Sequence, residues 1–465
     1  MRRLSRFAVG ITLLIAFAPR ARAEPDWAAV EAEATDLLSR YVQIDTTNPP
    51  GNETAAANFL ADIFSRSGLE PQVLQGDSGR GSVMARLPGT GERRPIVLLN
   101  HLDVVPATAE GWQVPPFSGA VRDGYVYGRG ALDCKGVGVA EAMALLVLQR
   151  SHARLRRDVV FLGTAGEETG GQVGAGWVAE HAFDQLGNPE YVLNEGGHIR
   201  VLPNGDRVYE VAVSEKTPCW LRLSTRGPAG HGSAPPSQTA VTRLVRALDR
   251  LQHYEPVVHV TPEVQAYYGA LAALEAGPRK HAYADLRAAV RDAKFRRRFL
   301  SNPHDAALVR DTLTPTVINA GQKTNVIPPS ASAELDCRLL PGADPHAFVR
   351  QVQQVIGDLT VQVEVLLNFP PSASSTATPL YAAIRGQAQQ SELPVVPSVL
   401  TGFTDSHYFR EKGVTSYGFV PFELPESEAE REHGINERLS TDNLRRGVMR
   451  LVQLLQSLDQ PGAGE

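Results

Sequence analysis

One alternation limits what this chain can fold into. Short apolar runs (SVMARLPG, PIVLLNHLDVV, DVVFLGTAG, YVLNEGG) take turns with stretches whose apolar residues recur at helical spacing, GVAEAMALLVLQR and GWVAEHAFDQL among them. Runs of that length bounded by turn residues read as strands, and strands alternating with helices build a mostly parallel sheet covered by helices on both faces. Such sheets gather their ligands beyond the carboxyl ends of the strands. The expected class is therefore α/β, and functional residues are sought where the apolar runs stop.

The texture changes near residue 214. WLRLSTRG and SASAELDCRLLPG alternate in the manner of antiparallel strands, and the helical, basic stretch LRAAVRDAKFRRRFL lies between them. From about Asp344 the mixed helix and strand texture resumes and runs to a closing helix, LRRGVMRLVQLLQSL. At 465 residues the chain exceeds the size at which one core stops growing. The simplest organisation is an α/β domain in two segments, 24–213 and 342–465, interrupted by a smaller α+β domain at 214–341. Arg296, Arg297 and Arg298 read as a solvated helix face.

Residues 1–23 read as an export signal: Arg2, Arg3 and Arg6, the apolar run AVGITLLIAFA, then Ala21-Arg22-Ala23 as a small-residue cleavage site. A membrane anchor is the rival use of such a run, but it is shorter than the ~20 residues a span needs. A twin-arginine route fits the flanking residues poorly. An exported, periplasmic or secreted protein follows, with no stable membrane insertion once the signal is gone. Losing the five arginines of 1–23 takes the formal charge from −5 to −10, which argues against nucleic acid as a partner. Three cysteines make no disulfide framework, although Cys219 and Cys337 could pair in an oxidising compartment.

Five segments offer metal-type ligands, three of them where apolar runs end. PIVLLNHLDVVP offers His101 and Asp103, and a histidine beside a carboxylate suits a zinc ligand held by an outer partner. YGRGALDCKG offers Asp133 in a glycine-rich turn. FLGTAGEETGG offers the adjacent Glu167 and Glu168, and YVLNEGG offers Glu195. Late in the chain, REHGINERLS offers His433. Taken singly, these are equally a structural His-Asp pair, a turn aspartate, or solvated glutamates.

Their joint order resembles a known family, the co-catalytic zinc amidohydrolases that include aminoacylase, carboxypeptidase S and succinyl-diaminopimelate desuccinylase. The matching stretches, in family order, are HLDVVP, GRGALDCKG, GTAGEETGG, LNEGG, GPAGHGSAP, KTNVIPP and EHGINE. The resemblance implies a zinc-exopeptidase-like mixed sheet, with the smaller domain serving as lid and as the surface of a possible homodimer. It implies two zinc ions per subunit, with cobalt or manganese as tolerated substitutes. His101 and Glu195 would hold one ion, His433 and Glu168 the other, and Asp133 would bridge them. Glu167 would be the general base and acid, and Asp103 would orient His101. A cis peptide is expected between Asp133 and Cys134, with the Cys134 side chain a spectator turned away from the metals. His231 would stabilise the oxyanion, in many relatives from the partner subunit, with Asn325 and Arg338 near the substrate.

The activity implied is hydrolysis of N-acyl amino acids, with the long insert and the run HLDVVPATAEGWQVPPFSG most like the aminoacylase and carboxypeptidase S branches. The alternative is a metallocarboxypeptidase or dipeptidase acting next to a free C-terminal carboxylate. A ligand-capture protein without catalysis would keep the metal ligands and lose the base, and Glu167 is present.

Overall fold

The computed structural model describes residues 24–76 and 78–460. The expected export signal at 1–23 lies outside the described residues. An eight-stranded mixed sheet forms the larger unit. Its strands run in the order Gln72–Gln75, Gly81–Leu87, Val159–Thr164, Ile96–His101, Tyr191–Val201, Thr415–Pro425, Arg207–Glu215 and Val395–Leu400. At its centre, Ile96–His101 pairs in parallel with both Val159–Thr164 and Tyr191–Val201. All six residues of Ile96–His101 and of Val159–Thr164 are buried, as befits strands covered on both faces.

One face carries helices Trp27–Val42, Lys135–Arg150, Pro379–Gln390 and Thr441–Leu458, which share an apolar core with the sheet. Lys135–Arg150 is buried over 14 of its 16 residues, which explains why its sequence reads as apolar all round. The other face is covered by the helical turns of 172–186 and by Ser406–Glu411. GWVAEHAFDQL, read as one helix, winds instead as wide π turns and a closing 3-10 turn.

The smaller unit is a four-stranded antiparallel sheet in the order Thr312–Ala320, Ser330–Leu339, Thr217–Arg226 and Gln362–Asn368. Helices Ala240–Gln252 and Pro345–Ile356 cover it through Leu244, Leu251, Phe348 and Val352. This differs from the expected boundary at 341. Pro345–Ile356 and Gln362–Asn368 look from sequence like a return to the α/β unit, yet the strand finds its partner in Thr217–Arg226, well over a hundred residues earlier.

The basic helical stretch differs too. Helices between Pro262 and Leu308 leave the small sheet and pack on the edge of the large one, where Val264, Tyr268, Leu286 and Phe299 meet Val396 and Val399. Cys134, Cys219 and Cys337 are free and buried, so the possible Cys219–Cys337 disulfide is not formed. No helix among the described residues is long and apolar enough to cross a membrane.

Candidate metal centre and cavity

The carboxyl edge of the parallel strands carries the site. His101 is the last residue of its strand, Glu167 and Glu168 follow the end of Val159–Thr164, and Glu195 lies on Tyr191–Val201. Asp133 closes the turn before helix Lys135–Arg150, and its peptide bond to Cys134 is cis. Gly166 and Gly170 flank the glutamate pair with φ of 78° and 102°, values that a side chain would oppose. His433 has φ of 58° without being glycine, a strained conformation of the kind held at functional sites.

Asp133 stands between the two histidines. Its Oδ1 lies 2.7 Å from His101 Nε2 and its Oδ2 lies 2.8 Å from His433 Nε2. Glu168 Oε1 is 3.3 Å from His433 Nε2, and Glu195 Oε2 is 3.4 Å from His101 Nε2. His101 Nδ1 lies 2.9 Å from the Asp103 carbonyl oxygen, an acceptor, so that nitrogen carries a proton. A neutral His101 would then set two acceptors against each other across 2.7 Å, and the contact requires a cation, either a proton or a metal.

The electrostatics say the same. Burial raises the Asp133 carboxyl, but hydrogen bonds and charge from His101 and His433 outweigh it and hold the group well below the carboxylate range. His433 is pushed up to about 11 by its hydrogen bonds to Asp133 and Glu168. Burial, and then the charge of its neighbours, raises Glu195 to about 7 even beside His101. Glu168 Oε1 is buried, and its contact with His433 Nε2 is the one ion pair it makes among the described residues. Two imidazoles and three carboxylates are the nitrogen and oxygen donors that zinc and related divalent ions take, so the residues present fit a metal pair.

Glu167 differs from its neighbour. It is buried, makes no side-chain hydrogen bond or ion pair among the described residues, and is raised well above the usual carboxyl range by burial and then by Glu195. Asp103 is the anchor beneath it. Its carboxylate accepts from Asn48 Nδ2 at 2.7 Å and from the backbone N–H groups of Gly166, Glu167 and Glu168 at 3.0, 3.1 and 3.2 Å. Asp103, expected to orient His101, meets that ring through its backbone carbonyl at 2.9 Å and its carboxylate at 3.5 Å, and the carboxylate also fixes the glutamate turn.

Some site residues differ from expectation. Cys134 was expected to turn away, but its sulfur, a His101 ring nitrogen and a Glu195 oxygen all lie within 4.8 Å of one another. His231 and Asn325 are exposed on the small unit, where His231 bonds Ser233 Oγ at 2.7 Å and Gly232 N donates to Asn325 O at 2.9 Å. Neither lines the cavity beside the metal ligands. Arg338 does line it, but its guanidinium is engaged with Asp336 at 2.6 and 3.1 Å and stacks near Trp220 and Phe403.

Sequence reading missed the supports. Glu437 accepts from Arg129 at 2.6 Å and from the N–H groups of Gly130, Leu132 and Asp133, while Arg129 also donates to the His433 carbonyl. GRGALD and GINE hold both residues, but nothing in the sequence says that they meet. The cavity, about 520 Å³, combines the acids with apolar walls from Leu132, Val137, Trp220, Phe403 and Phe422.

Comparisons with known proteins bear on the family and the fold. The sequence profile of Peptidase family M20/M25/M40 matches residues 97–457. The N-fatty-acyl-amino acid synthase/hydrolase PM20D1 of Xenopus tropicalis is 34% identical over 450 residues, 92% of this chain and 85% of that protein. Aminoacylase-1 of Mus musculus is 28% identical over 437 residues, covering 92% and 96%. Among solved structures, the M20 family metallo-carboxypeptidase Sso-CP2 from Sulfolobus solfataricus aligns with a TM-score of 0.73 at 19% identity, covering 92% of this chain and 99% of that one. Human carnosine dipeptidase 1 aligns with a TM-score of 0.70 at 18% identity, covering 94% and 98%.

Proposed function

The chain belongs to peptidase family M20/M25/M40, and from that membership we propose that it hydrolyses the amide bond of N-acyl amino acids, releasing a carboxylic acid and an amino acid. The observation that carries the reading is Asp133 shared between His101 and His433 at 2.7 and 2.8 Å, with an unengaged Glu167 beside it. His101 and Glu195 would hold one ion, His433 and Glu168 the second, and Asp133 both. Zinc is the metal proposed. Bound there, the pair supplies an activated water and polarises the amide carbonyl.

The chain's own residues do the rest. Glu167 takes a proton from the attacking water and delivers it to the leaving amine. Asp103 keeps Glu167 and Glu168 in their separate directions by gripping three consecutive N–H groups. Arg338 meets the substrate carboxylate at the cavity wall. His231 and Asn325, exposed on the small unit, would reach the cavity of a second copy in a homodimer formed through that unit, where His231 donates to the oxyanion. Export through residues 1–23 completes the reading.

Replacing Glu167 with Gln should leave the metals bound and reduce kcat by at least about 100-fold. Elemental analysis beside steady-state kinetics checks both halves, and full turnover by that variant would overturn the mechanism. The alternative, a carboxypeptidase or dipeptidase, uses the same centre. N-acyl amino acids and dipeptides assayed in parallel separate the two.

A further inference from the structure

We propose that Cys134 supplies a soft sulfur donor to the ion held by His101 and Glu195, an inference that rests on the two-metal reading above. The sulfur is fully buried, and with a His101 ring nitrogen and a Glu195 carboxylate oxygen it forms a triad of ligand-type atoms within 4.8 Å of one another. Tetrahedral ligation at the usual zinc bond lengths puts donors ~3.6 Å apart, so closing around an ion takes movements on the order of 1 Å. Cys134 stands at the N-cap of helix Lys135–Arg150, yet its side chain does not cap that helix.

Its main chain has little freedom to carry the sulfur elsewhere. Leu132 N and Asp133 N donate to Glu437, and Lys135 N donates to the Gly130 carbonyl at 2.8 Å. Cys219 and Cys337 belong to no such triad among the described residues and pack in the apolar core of the small unit. On metal binding the Cys134 S–H proton goes to solvent as the sulfur–metal bond forms, with no change of oxidation state. Sulfur ligation favours zinc and cadmium over the harder manganese. One of the two ions therefore has a softer site than its partner.

Cobalt(II) makes the difference visible. The full chain loaded with cobalt is compared with Cys134→Ser and Cys134→Ala by electronic absorption and by metal content. The expected result is a near-ultraviolet sulfur-to-cobalt charge-transfer band in the unaltered protein. Both variants should lose that band while keeping their visible d–d bands and cobalt content. Competition should show the preference for cadmium over manganese falling by on the order of 10-fold in the variants. Bound cobalt without the charge-transfer band in the unaltered protein, or a band that persists in both variants, overturns the proposal and leaves the two-metal reading standing. A protein that takes up no cobalt overturns both.

Discussion

Asp103 does more work through its neighbours' backbone than through any side chain. Asp103→Asn would turn one acceptor into a donor facing the N–H groups of Gly166, Glu167 and Glu168, and would release the turn that aims both glutamates. A misplacement of about 1 Å at a reacting group costs on the order of 100-fold, so kcat should fall by about that factor with little change in KM, as steady-state kinetics would read. His407 gives a residue-scale prediction about pH. It stacks on Phe369 at 3.7 Å between ring centres, and Glu411 and Arg410 are the charged groups nearest to it. Burial, and then the Arg410 charge, lowers it to about 3. An unfolded histidine takes a proton near pH 6.5, so between those values the unfolded chain binds more protons, and stability drains as pH falls from ~6.5 toward 3. His407→Phe should flatten that slope when denaturant midpoints are compared at neutral and mildly acid pH. At this scale the sequence is generous with metal-type residues, because His101, Glu167, Glu168 and Glu195 each follow an apolar run that must be a buried strand. It hides Asn48, Glu437 and Arg129, whose partners are backbone groups or distant side chains brought together only by folding.

Elements set the directions of those side chains. The turn that carries Glu167 lies against the wide helical segment Gln172–Gly176, where a Cβ on Gly174 would overlap the Ala165 backbone. Gly174→Ala should cost about 1–3 kcal/mol in thermal or chemical unfolding and lower activity along with stability, since the overlap falls on backbone that cannot rotate away. Helix Thr441–Leu458 makes a similar close approach, with a Cβ on Gly447 meeting the Phe422 ring. Element type is legible here wherever periodicity is strong, as in that helix or in Ile96–His101. Partnership is not. Gln362–Asn368 looks like any short strand, and its antiparallel pairing with Thr217–Arg226 depends on which edge the earlier strands leave open. GWVAEHAFDQL has helical spacing, but its first residue, Gly176, lies close to Tyr408, Gly174 just before it lies against Ala165, and the segment is wound in wide turns.

Across the whole molecule, the cavity takes Trp220 and Arg338 from the small sheet and its acids from the large one, so substrate meets both units together. Metal would tie together the two segments of the large unit, His433 from the later one and the other ligands from the earlier one. A ligand at 100 times its dissociation constant stabilises the fold by about 2.7 kcal/mol, so stripping the ions with a chelator should lower Tm by several degrees, and zinc should restore it in calorimetry. The Glu215 to Thr217 junction is stiffened by Lys216, a buried residue whose Nζ donates to the carbonyls of Ala307 and Arg310 at 2.9 and 2.8 Å. The chain leaves the large sheet there and returns beside its own exit, where Ser214 bridges Ala373 and Ser374 N donates to Val213 O at 2.8 Å. An insertion whose two ends touch resembles an interchangeable cassette, one that a lineage could trade without disturbing the host sheet. The helices between Pro262 and Leu308 prevent that, because they fold back onto Val396 and Val399. Excising the insert would bare the edge of the large sheet, so the part that looks most portable is also the one that seals its host.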